Sequence, residues 1–145
     1  MPEHSVTFKK LIHAPYDTVI NFLHTPTELI DLNPLVIHRE PRKDDPSTYD
    51  IRDRMKILGI IPYEFNYTVK FTLNEDGIDG EVNAPGGTQL KDHWSAKAVD
   101  EENTEVTEDV TVKANLFLLP LTLSGLDSAH KDLQDRMARK LDTSK

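Results

Sequence analysis

Four side chains in this sequence have the chemistry for proton transfer, and each stands where its segment calls for an apolar residue: Asp53, Asp92, Glu108 and His130. Twofold alternation sorts the residues around each acid into two faces. Asp53 shares a face with Tyr49, Ile51, Met55 and Ile57. Asp92 falls in line with Leu90, Trp94, Ala96 and Ala98, and Glu108 with Val106, Val110, Val112 and Ala114. A carboxylate on such a face is costly unless it is paired, hydrated or protonated. Burial that lifts a carboxyl pKa toward neutrality also makes the group a general acid or base. His130 is the same anomaly in helical spacing. It interrupts a stripe of Leu119, Leu123, Leu126, Leu133, Met137 and Leu141 at steps of four and three. If this helix lies across the sheet, His130 approaches the acids, and Glu108, His130 and Asp92 form the expected catalytic set.

Each anomaly has a plainer reading. A strand end or a β-bulge turns an acid toward solvent. Asp53 and Asp92 can pair with Lys or Arg on a neighbouring strand, and His130 can be a half-buried helix residue. Glu108 has the firmest register, because a slip of one residue would bury Thr107, Asp109 and Thr111 instead. The cleanest split in the chain puts Tyr63, Phe65, Tyr67, Val69, Phe71 and Leu73 on one face and Glu64, Asn66, Thr68, Lys70 and Thr72 on the other. The aromatic face is expected to point inward as core or pocket wall. The expected ligand-contacting set is therefore Tyr49, Asp53, Tyr63, Phe65, Tyr67, Trp94, Leu126 and Leu133.

Other chemistries find no support. The chain has 145 residues and no cysteine, which excludes disulfides, thiolate metal sites and a cysteine nucleophile. Its six histidines lack metal-ligand spacing, so no metal site is expected. Gly86-Gly87 follows Pro85 and precedes a strand, which is hairpin chemistry rather than a phosphate loop. No serine sits in a nucleophile elbow. A formal net charge of −8 argues against nucleic acid or an anionic lipid surface as the main partner. The apolar run from Leu116 to Leu123 is too short to cross a bilayer, and the N-terminus lacks a secretory pattern. A cytoplasmic protein without a cofactor is expected, a monomer or weak dimer.

The elements that must position these groups follow from the changing period. Ser5 to Ile12 alternates as a strand. Pro15 is expected in the first turn of a helix carrying Val19, Ile20, Phe22 and Leu23 inward, and Pro26 ends it. A second short helix, capped by Thr25 or Thr27, runs through Leu29, Ile30 and Leu32 to Asn33-Pro34. Strands are predicted at Leu35–Arg42, Thr48–Leu58, Tyr63–Leu73, Ile78–Asn83, Thr88–Val99 and Thr104–Asn115. Their short connections make an antiparallel meander. A long helix covering most of Leu126–Leu141 closes the chain. This is an α+β class, a curved seven-stranded antiparallel sheet around a long C-terminal helix, with two short helices after the first strand, in one domain over 1–145.

That order of elements is the helix-grip order. Ile12-His13-Ala14-Pro15, Val19, Phe22-Leu23, Pro26-Thr27 and Leu32-Asn33-Pro34 resemble the opening of START-like domains, the SRPBCC superfamily of polyketide cyclase/dehydrase and lipid-transport proteins. Gly86-Gly87-Thr88-Gln89-Leu90 leading into Trp94 resembles the start of a late strand in the same superfamily. The resemblance implies a cavity for an apolar ligand between sheet and helix, and no particular reaction. Two functions are compatible with it. One is a carrier or receptor for a lipid- or polyketide-like molecule. The other is a cofactor-free cyclase, isomerase or dehydratase in which Glu108 or Asp92 is the acid/base and His130 its partner.

Overall fold

The computed structural model describes the backbone of residues 3–57, 59–114 and 119–144, and the side chains of these except 57, 85 and 119–128. In chain order the elements are β1 (Glu3–Ile12), α1 (Tyr16–Leu23), α2 (Pro26–Ile30), β2 (Val36–Pro41), β3 (Thr48–Ile57), β4 (Ile61–Asn74), β5 (Gly77–Asn83), β6 (Gln89–Ala98), β7 (Thr104–Lys113) and α3 (Leu119–Leu141). The seven strands form one antiparallel sheet in the order β1-β7-β6-β5-β4-β3-β2. The meander from β2 to β7 is as expected from its short turns, and β1 closes the far edge by pairing along β7.

Two prolines act differently from the sequence reading. Pro15 is the N-cap of α1, in extended conformation, rather than its first helical residue. Pro26 opens α2 at N1, where its missing N–H removes no helical bond. Thr25 precedes it without a side-chain cap, its hydroxyl donating instead to the Asn21 carbonyl at 2.8 Å. Strand β4 starts two residues earlier than expected, because Gly59 at φ 75° turns the chain so tightly that Ile61 already pairs with Ile57.

The core lies on the inner face of the sheet. In β7 the alternation is complete: Val106, Glu108, Val110 and Val112 are all buried, and Ala114 just beyond the strand continues the row. Val19, Phe22 and Leu23 of α1 pack with Ile12, Ile78, Trp94 and Ala96, and Leu133, Met137 and Leu141 of α3 close over this cluster. The end of α3 is moored to the sheet. Thr143 donates through its N–H and its hydroxyl to the His13 carbonyl, and Lys10 pairs with Asp135 at 2.7 Å. Among the described residues no helix is long and apolar enough to cross a membrane.

Candidate functional site

Adjacent strands and one helix bring the three expected catalytic groups together. Trp94 and Glu108 face each other across β6 and β7, with Asp92 two residues along β6 on the same face. From α3 the His130 ring stacks on Phe8 of β1, centroids 5.5 Å apart, and this presents Nδ1 to Glu108. Nδ1 lies 2.8 Å from both Glu108 carboxyl oxygens. Glu108 is fully buried and the His130 side chain 12% exposed. Trp94 donates from Nε1 to Asp92 at 3.3 Å. Asp92 and Glu108 lie on the same inner face of neighbouring strands, close enough to perturb each other's ionisation.

The electrostatics follow from burial. Desolvation pushes Asp92 up to about 8, and the charge of Glu108 adds to this against the pull of His130 and the Trp94 hydrogen bond. Desolvation likewise raises Glu108 to about 8, opposed by the hydrogen bond from Asp92 and helped by the charge of Asp109. The His130 pKa is lowered by burial, with Asp92 acting in the other direction. At neutral pH burial keeps this carboxyl pair protonated beside a neutral imidazole. His130 Nδ1 and the Glu108 carboxyl share this hydrogen bond, the donor set by where the proton resides.

Gly80 makes room for this arrangement. It pairs with Asp92 across β5 and β6. A Cβ on Gly80 would lie 2.4 Å from Asp92 Oδ1. The missing side chain is the notch that admits the carboxyl.

The cluster forms one end of a cavity of about 230 Å³. Leu29, Ile30 and Leu32 line it from the α2 side, and Leu133 from α3. Tyr67, Val69 and Phe71 of β4, with Val82, Leu90 and Trp94, make the sheet wall. A second polar group stands behind Tyr67. Asp53, only 4% exposed, accepts from the Tyr67 hydroxyl at 3.0 Å and from Asn33 Nδ2 at 3.3 Å. Burial raises the Asp53 pKa against these two hydrogen bonds. Burial and the Asp53 charge raise the Tyr67 phenol further above its ordinary range.

The structure thus brings Asp92, Glu108, His130, Tyr67, Trp94 and Leu133 to the cavity. The side chain of Leu126 lies outside the described residues. Tyr49, Asp53, Tyr63 and Phe65 do not line the cavity. Tyr49 packs edge-on to Phe71, and Asp53 holds Tyr67 from behind. The expectation that the whole row of β4 from Tyr63 to Leu73 points into the interior is corrected at both ends: Tyr63 is 46% exposed and stacks on Phe65, and Leu73 is 54% exposed. Alternation fixes which face a residue takes, but burial needs an element over it. Among the described residues the core packs against β4 only from Tyr67 to Phe71. The bulge considered for the acids occurs elsewhere, between Val36 and His38 of β2. Neither Asp53 nor Asp92 takes a Lys or Arg partner among the described residues. The sequence reading missed Gly80, Asn33 and Phe8. A lone glycine inside an alternating strand was the available signal for Gly80; the other two carried none.

Among the described residues no group of acids and histidines has the arrangement of a metal site. A sequence search of curated proteins gives no match. Solved structures do share the fold. A conserved protein from Geobacillus kaustophilus is 13% identical, with a TM-score of 0.77 over 97% of each chain. The ZhuI aromatase/cyclase from Streptomyces is 14% identical, TM-score 0.71, over 99% of this chain and 98% of that one. A START superfamily protein from Mycobacterium smegmatis is 18% identical, TM-score 0.64, over 95% and 99%. The fold is the START-like helix grip. A family model described as a domain of unknown function, DUF7053, matches residues 12–143, and the chain belongs to that family.

Proposed function

We propose that this protein binds a small, largely apolar molecule, lipid- or polyketide-like, between the sheet and α3. The observation that carries this is the cavity itself: about 230 Å³ with mostly apolar walls and buried polar groups to orient a guest. A dry cavity of about 150 Å³ already accommodates benzene, so one or two rings are the fitting size. The likeness to an aromatase/cyclase and to a START superfamily protein supports a ligand of this kind. Native mass spectrometry of the purified protein, with displacement of an environment-sensitive apolar dye, tests it. A protein that carries no small molecule and takes up no dye refutes the reading.

A cofactor-free cyclase, isomerase or dehydratase is the second reading. It is favoured by two buried carboxyls of raised pKa, Asp92 and Glu108, beside the His130 imidazole. Glu108 and Asp92 then exchange a proton with the bound substrate while His130 holds the carboxyl in place. Glu108→Gln is expected to lower turnover about 10²–10⁴-fold while binding persists. Full turnover by the variant removes Glu108 from that role.

A further inference from the structure

The polar end of the cavity is acidic and lacks a fixed cation. Asp92 and Glu108 meet there, and no Lys or Arg is among the described residues that line the cavity. The described groups around the pair come from several elements. His130 comes from α3, with Phe8 of β1 stacked behind it. Trp94 of β6 gives Asp92 one N–H. Asp109 of β7, exposed, adds further negative charge. Tyr67, Asn33 and Asp53 form the other polar group, and their donors are already directed to Asp53.

A guest reaching this end must place some atom against two carboxyls. A carboxylate would be a third acid in the same low-dielectric space, and repelled. A hydroxyl would meet neutral partners. An ammonium would supply the missing charge and make charge-assisted hydrogen bonds with both acids. The notch at Gly80 leaves the Asp92 carboxyl in place beside Glu108 for this. Resting on the binding reading above, we propose that the ligand is an amine: a one- or two-ring apolar body whose ammonium group sits against Asp92 and Glu108.

The charge balance gives the proposal its signature. Near neutrality the resting pair is protonated; the entering ammonium displaces its protons to solvent, leaving two carboxylates around one cation. Raised carboxyl pKa values put this exchange near neutrality. Amine affinity therefore rises with pH, by about tenfold or more per unit, until the pair is fully ionised or the amine itself loses its proton.

Isothermal titration with 2-naphthylmethylamine, 2-naphthylmethanol and 2-naphthoate tests this, at about pH 6 and 7 and in buffers of different ionisation heat. The expected order is amine over alcohol by roughly tenfold or more, with naphthoate undetected. The amine should gain about tenfold or more from pH 6 to 7 and release roughly one to two protons, while the alcohol stays flat. Glu108→Gln, and separately Asp92→Asn, should abolish the amine preference and the proton release and still bind the alcohol. Equal or tighter binding of the alcohol or naphthoate, or amine affinity that ignores pH, overturns the amine proposal alone. Failure of all three to bind overturns it together with the binding reading.

Discussion

Replacing Glu108 by Gln should make the protein less sensitive to alkali, and more stable at pH 8. Glu108 has its ordinary pKa near 4.5 in the unfolded chain and about 8 in the folded one. Between these values the native state keeps a proton that the unfolded state has released. The stability linked to this group is therefore complete below about 4.5 and lost as pH rises toward 8. At about 1.4 kcal/mol per pH unit the loss has a ceiling of about 5 kcal/mol. Glu108 titrates as part of a coupled cluster with Asp92 and His130, so roughly half of that, about 2–3 kcal/mol, is the expected loss.

Gln keeps the shape and one acceptor for His130 Nδ1, and cannot ionise. It also removes the charge that helps hold the Asp92 pKa up. Trp94, the sole tryptophan and 2% exposed, reports unfolding by its fluorescence. Urea titrations at about pH 5 and 8 should show wild type losing about 2–3 kcal/mol more than the variant over that interval. Parallel losses in the two proteins, or a variant clearly weaker than wild type at pH 8, would show that Glu108 is not the buried, proton-holding acid described here.

Gly80→Ala drives a methyl into the Asp92 carboxyl and should destabilise the fold by about 1–3 kcal/mol with a shift in Trp94 emission; combining it with Asp92→Ala should recover at least about 0.5 kcal/mol in a double-mutant cycle. Tyr67→Phe leaves Asp53 with Asn33 as its one remaining side-chain donor among the described residues, a loss of about 1–2 kcal/mol by urea denaturation, and no loss would mean that water already serves Asp53. Ile60→Ser, at a position 78% exposed, should change stability by less than about 0.5 kcal/mol; a larger drop in the denaturation midpoint would place Ile60 under cover.

The sheet was legible because its valines are unambiguous. Val106, Val110 and Val112 commit one face of β7 to the interior, and Glu108 goes with them whatever its chemistry. The described stripe of α3 is equally firm: Leu133, Met137 and Leu141 pack inward, with His130 half-buried in line. Where the reading failed, the missing quantity was coverage rather than direction. Tyr63 takes the predicted face of β4 but has no described core residue packed over it, and Met55 opposite it on β3 is 37% exposed for the same reason. The prolines show a related limit. Pro15 and Pro26 both mark helix starts, yet only the backbone path decides which is cap and which is first residue.

Neighbours across strands and between elements were beyond the reach of alternation. Alternation places Asp92 on the inner face; it does not say that Gly80 lies opposite, or that the vacancy there is what lets a carboxyl sit among Phe71, Leu90 and Trp94. Gly80 and Asp92 are each unfavourable alone. A glycine weakens a strand interior, and a buried acid raises the free energy of the fold wherever it ionises. Together they are compatible with the strand, because the notch of one takes the carboxyl of the other. A fold under pressure for stability alone would fill that position with Ala or Val and put Leu at 92. That an unfavourable pair persists here, with Asp92 in the lining shared with Glu108 and His130, supports the proposal that this part of the pocket holds a proton or a charge for something bound there.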